Sequence, residues 1–490
     1  MKWPMLYQAH PRRILQELRR EGLTSPTLAE IPDAWFANLA DQGFDWIYLL
    51  GIWQTGPRSR EVSLTHPAIA RDHASHLPDW TADDVCGSPF AIQSWIPHKD
   101  FGGLAGLQAF REAASRYGIK LMLDFVPNHV GLDHPWTLTN PTWFFSASSE
   151  TPPGMATVSS PGGPSFMHGK DPYFPPWPDT FQLNLFHPEV RAAQRQVIAA
   201  MASQCDGLRC DMAMLPLSDV FQATWGRAAL EIDGFAAETS DYWPGMINAA
   251  RDLNPGFLFL AECYWDREWD LMCQGFDFCY DKRLYERLAH GNSEGVVGHL
   301  RAAPDFRDKC AHFLENHDEP RAPAVFGDRR RAAAVVSFFA PGLRFAHQGQ
   351  ENGFRIRDSV HLSRTEMEQA DSSEKQFYQR LFRLSSISSK LPWRLLVASP
   401  AWSDNPTHAH FVTMAIGDTS CGGIVIVNYS STRSQCKIGW EWSEPPSSLQ
   451  DWMQEYPLTK QTADDIAKTG LYIDLPAWGY HYISSKAPVA

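Results

Sequence analysis

Three observations predict the fold class: an eight-fold alternation of strand-like and helical segments, a proline-rich break after the third strand, and a run of short alternating strands near the C-terminal end. Together they predict an α/β chain, a (β/α)8 TIM barrel with an irregular insertion after strand 3 and a C-terminal all-β sandwich domain. The chain has 490 residues, 44% hydrophobic and 20% charged, which excludes a disordered, collagenous or coiled-coil protein and leaves room for a full-sized core. Strand-like runs fall at 45–50, 86–92, 119–126, 206–211, 257–263, 276–281, 310–315 and 343–347. Strands that alternate with helices argue for a parallel sheet, and eight such units argue for closure into a barrel. No glycine-rich dinucleotide fingerprint follows the first strand, which weakens an open doubly wound sheet.

The elements follow in order. A helix around 11–21 is expected to precede the barrel. The helical spacing of apolar residues over 103–117 stops at Gly118, a favourable C-terminal cap. Residues 131–185 then break the alternation, and within 151–178 there are eight prolines and four glycines. A long irregular segment leaving the C-terminal end of a barrel strand reads as a wall of the site. Pro188 opens a helix to about residue 203. After a helix over 373–387, alternating strands at 408–415, 423–428, 434–438, 471–475 and 479–484 read as a separate all-β domain. The expected division is a barrel in two parts, 1–130 and 186–395, an insertion over 131–185 and a β-sandwich over 396–490.

Composition narrows the function. The longest apolar stretch, 332–343, is interrupted by Ser337 and Pro341, so no membrane-spanning helix and no membrane partner are expected. The N-terminal Met-Lys-Trp-Pro-Met-Leu is expected to run straight into a charged helix without the apolar core of a signal peptide, which predicts a cytoplasmic protein. The net charge is −13, and Arg329, Arg330 and Arg331 read as the solvated first turn of a helix, so nucleic acid is excluded as a partner. Nine cysteines form no C-x-x-C pair; Cys205, Cys210, Cys279 and Cys310 lie in predicted strands and read as reduced, buried thiols. With 19 Trp, 14 Tyr and 28 Phe, the chain can line a groove as well as fill a core.

Chemistry concentrates at the C-terminal ends of predicted strands three, four, five and seven. Strand three ends in Asp124, Asn128 and His129, strand four in Arg209 and Asp211, strand five in Glu262, and strand seven in Asn316, His317 and Asp318. A single strand-end aspartate can cap a helix, but four such ends share one face of a barrel. Residues i and i+2 of a strand point to the same side, so Arg209 lies beside Asp211 and favours its ionised form. Glu262 follows Leu258, Phe259, Leu260 and Ala261, and apolar surroundings raise a carboxyl pKa. One carboxylate to attack and one carboxylic acid to protonate a leaving oxygen is the arrangement of a retaining glycosidase. Asp318, His129 and His317 are placed to hold the sugar at the same ring.

The segments DFVPNH (124–129), GLRCD (207–211), the Glu262 strand and FLENHD (313–318) resemble the four signature regions of glycoside hydrolase family 13, the α-amylase family, in order, spacing and strand placement. Gln182-Leu183-Asn184 resembles a fifth. The resemblance implies that the insertion is that family's domain B and the β-rich tail its domain C. It further implies Asp211 as nucleophile, Glu262 as general acid/base and Asp318 as transition-state stabiliser. Arg209, His129 and His317 would line the subsite of the attacked sugar, and Asp124 would support it from beneath.

The chain departs from the family pattern in two places. Met214 and Leu215 stand where many α-amylases carry a Lys-His pair that contacts the leaving-group side and a calcium site. Asn128 is the position implied as a calcium ligand; no other cofactor is implied. The stretch from Phe90 to Trp95 lacks the acids with which exo-acting glucosidases grip a non-reducing end, while Phe90 and Trp95 are candidate stacking platforms. The expected function is retaining hydrolysis of α-1,4-linked glucans or maltooligosaccharides through a covalent glycosyl-enzyme intermediate. An α-glucan transglycosylase, or a disaccharide-acting glucosyltransferase or phosphorylase, would use the same residues. A non-catalytic binding protein fits poorly with three retained carboxylates. A metal-dependent hydrolase built on His66, His73, His76 or His98 fits poorly because their spacings match no compact ligand motif. The sequence leaves the oligomeric state open.

Overall fold

The computed structural model describes residues 3–417, 422–439 and 449–485. Eight parallel strands close into a barrel: β1 (Met5–Ala9), β2 (Trp46–Leu49), β3 (Lys120–Phe125), β4 (Gly207–Cys210), β5 (Leu258–Ala261), β6 (Phe278–Tyr280), β7 (Cys310–His312) and β8 (Leu343–His347). Closure runs through β1, which pairs Met5 with Arg344 on β8 and Leu6 with Trp46 on β2. The strands are buried on both faces, inside by one another and outside by helices, which is why they read as near-continuous apolar runs. Aspartates just before three strands fix the register at the barrel's N-terminal rim. Asp45 accepts the Met5 N–H (2.9 Å), Asp206 the Leu121 N–H (2.9 Å) and Asp277 the Phe259 N–H (2.7 Å).

One expected strand is misplaced. The first barrel strand is Met5–Ala9, and the helix Pro11–Arg20 follows it instead of preceding the barrel. Residues 86–92 form no barrel strand, because Gly87 sits at φ +88° and Pro89 follows two residues later. The local strand is Ile92–Pro97, paired antiparallel with Trp53–Thr55 beside the barrel. These two errors offset one another, so every later strand keeps its expected ordinal.

The helix Gly103–Arg116 ends before Gly118, whose φ of +72° turns the chain into β3. The helix Pro188–Ala202 is opened by proline, with His187 Nδ1 accepting the Glu189 N–H. Between β3 and that helix, the insertion is short antiparallel pairs joined by irregular chain: His129–Gly131 with Thr180–Gln182, and Ala156–Val158 with Ser165–Met167. Phe144, Phe166 and Phe181 pack together inside it. Gly131 lies so close to the Ala91 carbonyl that a Cβ would come within 2.4 Å of that oxygen, so the neck of the insertion requires glycine.

After the helix Ser372–Ser388, the chain forms two sheets. The larger orders Trp393–Leu395, Phe411–Ile416, Gly423–Asn428, Tyr480–Ser484 and Gln450–Asp451; the smaller orders Ala398–Ser399, Ser434–Ile438 and Leu471–Leu475. Alternation divides the larger sheet's side chains. Phe411, Ala415, Ile424, Ile426 and Ile483 pack with Cys436, Ile438, Leu471 and Ile473 of the smaller sheet, while Val412, Met414, Val425, Val427 and Tyr482 join the barrel's core. Among the described residues, no helix is long and apolar enough to cross a membrane.

Candidate active site

A cleft of about 970 Å³ opens at the C-terminal ends of the barrel strands. Phe90, His129, Asp211, Glu262, His317 and Asp318 line it, so the three expected carboxylates and both histidines converge on one cavity. The cleft's other side is built by the insertion through Asp171, Phe174 and Trp177.

Arg209, on β4, organises the floor. It is fully buried; Nη1 lies 2.8 Å from Asp211 Oδ1 and 3.5 Å from Asp124 Oδ1, and Nη2 lies 2.8 Å from Glu262 Oε2. Its guanidinium also sits over the rings of Phe90 and Tyr280, at 5.4 and 5.9 Å from their centroids. Asp124 is itself held from below by the Tyr48 hydroxyl and the Gly51 N–H (2.7 Å) and does not line the cleft. One cation thus faces three buried carboxyl groups, and burial pushes all three upward against its field. Burial raises Asp211 to about 6 and Glu262 to about 8, Arg209 opposing the shift in both. Between those values the pair holds one proton, and the proton resides on Glu262.

Glu262 is fixed at both oxygens. Oε2 accepts the Met212 N–H at 2.7 Å, and Oε1 lies 3.0 Å from the Tyr264 hydroxyl. Met212 carries a φ of +40°, uncommon for a non-glycine residue. With Oε2 facing both the Arg209 guanidinium and the Met212 N–H, the Glu262 proton belongs on Oε1. On Asp211, Oδ1 is taken by Arg209, and Oδ2 has no hydrogen-bond donor among the described residues.

The histidines are neutral. Burial lowers His317 to about 4 and His129 to about 3. Gln8, near the end of β1, places Nε2 2.9 Å from His317 Nδ1, while His317 Nε2 lies 3.1 Å from Asp318 Oδ2. With the Gln8 amide donating to Nδ1, the His317 proton sits on Nε2, close to Asp318 but not aligned into a hydrogen bond with it. Phe90 stacks on the His317 ring, with centroids 5.3 Å apart and planes at 24°. The His129 ring lies 5.0 Å from Trp177 of the insertion.

Trp95 is not part of this cleft. It packs against Trp53 and Phe125 on the barrel flank, because its strand runs beside the barrel and turns that side chain away. Asn128 exchanges both carboxamide bonds with Gln182, at 3.0 and 2.9 Å. Among the described residues, the one group of three His, Cys, Asp or Glu ligand atoms close enough for a metal is Asp281, His299 and Cys310, away from Asn128. The Asn128 side-chain oxygen, the atom a calcium ion would take, accepts the Gln182 amide. Sequence reasoning missed Gln8, Tyr264, Phe174 and Trp177. Gln8 was hidden with its strand. Tyr264 stands two residues after Glu262, a spacing that could have found it.

No family profile matches the chain. Among curated proteins, it is 29% identical over 302 residues to alpha-amylase MalA of Haloarcula japonica, covering 59% of this chain and 38% of that protein. It is 24% identical over 282 residues to alpha-amylase 3 of Dictyoglomus thermophilum, covering 52% of each. The matched segments thus span about half or less of these relatives' lengths. The fold matches that of an alpha-amylase from Lactobacillus plantarum with a TM-score of 0.67 at 18% identity, covering 98% of both chains. It also matches the Geobacillus thermoleovorans alpha-amylase complexed with acarbose, with a TM-score of 0.66 at 16% identity over 99% of this chain and 100% of that one. The chain is thus similar over about half of its length to curated alpha-amylases and shares the barrel architecture of solved ones, and its four strand-end segments resemble the signature regions of the α-amylase family.

Proposed function

We propose that the protein is a retaining α-glycosidase that cleaves α-1,4-linked glucans or maltooligosaccharides, with Asp211 as nucleophile, Glu262 as general acid/base and Asp318 as stabiliser of the transition state. The observation that carries this reading is the Arg209 bridge between Asp211 and Glu262. It keeps both carboxyl groups within reach of one guanidinium, as the close spacing of a double displacement needs. Burial separates their protonation states in the same sense that the chemistry requires.

In the first step, the Glu262 Oε1 proton passes to the glycosidic oxygen as Asp211 Oδ2 attacks the anomeric carbon. The carbon–oxygen bond breaks, the leaving sugar departs with the proton, and the first sugar stays bonded to Asp211. In the second step, Glu262, now ionised, takes a proton from water while the water oxygen attacks the same carbon and releases Asp211. Asp318, close to His317, and neutral His129 are available to sugar hydroxyls through both transition states. Phe90 and Trp177 offer apolar faces, and the insertion over 131–185 forms the wall that limits access of water. Residues 396–490 are read as the family's C-terminal β-domain.

A product profile on maltoheptaose and soluble starch tests the reading. Shorter sugars and new reducing ends are expected from the parent chain and are absent from Asp211→Asn and Glu262→Gln at unchanged fold. Longer sugars with no gain in reducing ends would replace hydrolysis by glucan transfer. Substantial turnover surviving in either variant would overturn the residue assignment.

A further inference from the structure

Between β2 and the strand Ile92–Pro97 the chain inserts a hairpin of two short helices, Pro57–Thr65 and Pro67–His76. This hairpin and the chain that follows it are tied to both walls of the cleft. On one side, the Arg58 N–H donates to Asp133 Oδ2 (2.8 Å), and the Arg58 guanidinium donates to the carbonyls of Leu132, Val158 and Ser159 (3.2, 2.7 and 2.6 Å), all in the insertion. On the other side, Arg364 of the loop after β8 lies 3.0 Å from both Asp79 Oδ1 and Asp84 Oδ1, and the Cys86 N–H donates to the His361 carbonyl at 2.9 Å. Leu77, Val85 and Leu362 pack into a small core of their own beneath these contacts. Arg357 of the same loop connects His76 Nε2 (3.1 Å) with the Asp318 carbonyl (3.2 Å). The insertion, the hairpin and the β8 loop thus form one continuous wall around an end of the cleft.

The strand order shows which end is walled. In a closed ring of eight, β1 stands opposite β5, and the loops after β2 and β8 flank β1. The wall therefore lies across the barrel from Glu262, which directly follows β5. A general acid protonates the leaving oxygen, so the departing sugar lies on the Glu262 side and the retained sugar extends away from it, toward the wall. The two ends differ in exposure. On the Glu262 side the cleft is lined by Asp266, Arg283 and Phe174, all exposed, Phe174 by 69%. On the wall side the lining residues His66, Ile69, Ser88, Val360 and His361 are half-buried.

Asp179 gives the closed end a polar anchor. It is buried, lines the cleft and belongs to the insertion, while Ser59 beside it belongs to the hairpin. Oδ2 has a long contact with Ser59 Oγ (3.5 Å), and Oδ1 has no donor from another described residue. A buried carboxylate is costly without donors, and a sugar hydroxyl supplies one.

We propose that this wall makes the protein exo-acting: it closes the glycone end, admits the non-reducing terminus of an α-glucan and releases a mono- or disaccharide of fixed length, with Asp179 accepting a hydroxyl of the terminal sugar. An internal segment of a longer chain would have to pass through the contacts of Arg58 and Arg364. The inference rests on the catalytic reading above, because the position of Glu262 sets the side of the leaving group.

The test compares maltoheptaose with maltoheptaose that carries an ethylidene cap on its non-reducing terminal sugar, with products resolved by chromatography from the earliest turnovers. The expected result is one short product and its complement from the free sugar, with the capped sugar cleaved at less than about a tenth of that rate. Faster cleavage of the capped sugar, or a spread of product lengths at the earliest turnovers, overturns the proposal. Asp179→Ala is expected to raise KM for maltotetraose about tenfold with kcat within about threefold of the parent, and Asp179→Asn, whose carbonyl still accepts, to recover part of that loss. An unchanged KM in a folded Asp179→Ala overturns the role of Asp179, and the comparison of capped and free sugar decides on the wall even if that variant fails to fold. The two readings fail separately: equal cleavage of both sugars sinks the wall alone, and no cleavage of any α-glucan sinks the catalytic reading and this inference with it.

Discussion

Gln8 from the first barrel strand meets His317 from the end of the seventh across the closed barrel, amide Nε2 to imidazole Nδ1, at 2.9 Å. The contact fixes which nitrogen of a neutral histidine carries the proton facing Asp318. Gln8→Leu removes the donor and leaves a buried ring nitrogen unpaired, at about 1–3 kcal/mol. The expected effect is a roughly tenfold or greater fall in kcat/KM with the melting temperature little changed. Gln8→Glu, which invites a proton onto Nδ1, is expected to shift the acid limb of the pH profile as well. Kinetics indistinguishable from the parent in both variants would show that the contact only packs.

The ionisation order predicts a bell-shaped pH dependence of kcat/KM. The rate rises as Asp211 ionises near about 6 and falls as Glu262 loses its proton near about 8. Glu262 ionises beside an Asp211 that is already charged, so Asp211→Asn is expected to move the Glu262 transition downward, read by spectroscopic titration of the inactive variant.

The same raised values carry a sign for stability. The folded state holds protons on these carboxyls at pH values where the unfolded chain has released them, so this contribution is fully present below the unfolded values, near pH 4, and is lost as pH rises through the folded ones. Glu262→Gln cannot ionise, and its gain in melting temperature over the parent is expected to be larger at pH 8 than at pH 5. A gain that is equal at both pH values would contradict the burial argument.

Arg209 is expected to be irreplaceable by lysine. Its fork reaches Asp211 and Glu262 with separate nitrogens, and a single ammonium cannot reproduce both contacts. Arg209→Lys should lower kcat by about 100-fold while the chain still folds, corresponding to about 2.7 kcal/mol in the barrier. Near-parental rates would show that charge alone suffices.

A second buried arginine has a structural task. Arg321 lies 2.9 Å from Glu315 and 3.3 Å from Asp358, and it donates to the Gln348 carbonyl at 2.8 Å. Asp358 keeps Arg13 as a partner, but Glu315 loses its ion-pair partner when Arg321 is removed. Arg321→Met is expected to cost about 3–5 kcal/mol, read as a clear fall in melting temperature.

Much of this was legible in the sequence because strand-end chemistry repeats on one barrel face. Glu262 directly follows an apolar run, Asp318 closes the segment that Phe313 and Leu314 open, and Arg209 precedes Asp211 by the two residues that put both on one side. What was hidden lay where local signals conflict. Met5–Ala9 is short, carries Gln8 and runs into Pro11, so it merged with the helix behind it. Residues 86–92 are apolar enough for a strand, but Gly87 and Pro89 turn the chain there. Trp95 shows the limit of composition: an aromatic near a site in sequence was placed on the flank by the direction of its strand. The proton positions at Glu262 and His317 depend on Met212, Tyr264 and Gln8, contacts that only the closed barrel creates.

The most direct test of the central claim is the anomeric form of the reducing end newly formed by cleavage of maltotetraose, followed by proton NMR before mutarotation, with Glu262→Gln as the blank. Attack by Asp211 followed by attack by water inverts the anomeric carbon twice, so the α-anomer is predicted first. Initial release of the β-anomer would mean a single displacement by water and would contradict the assignment of Asp211 as nucleophile.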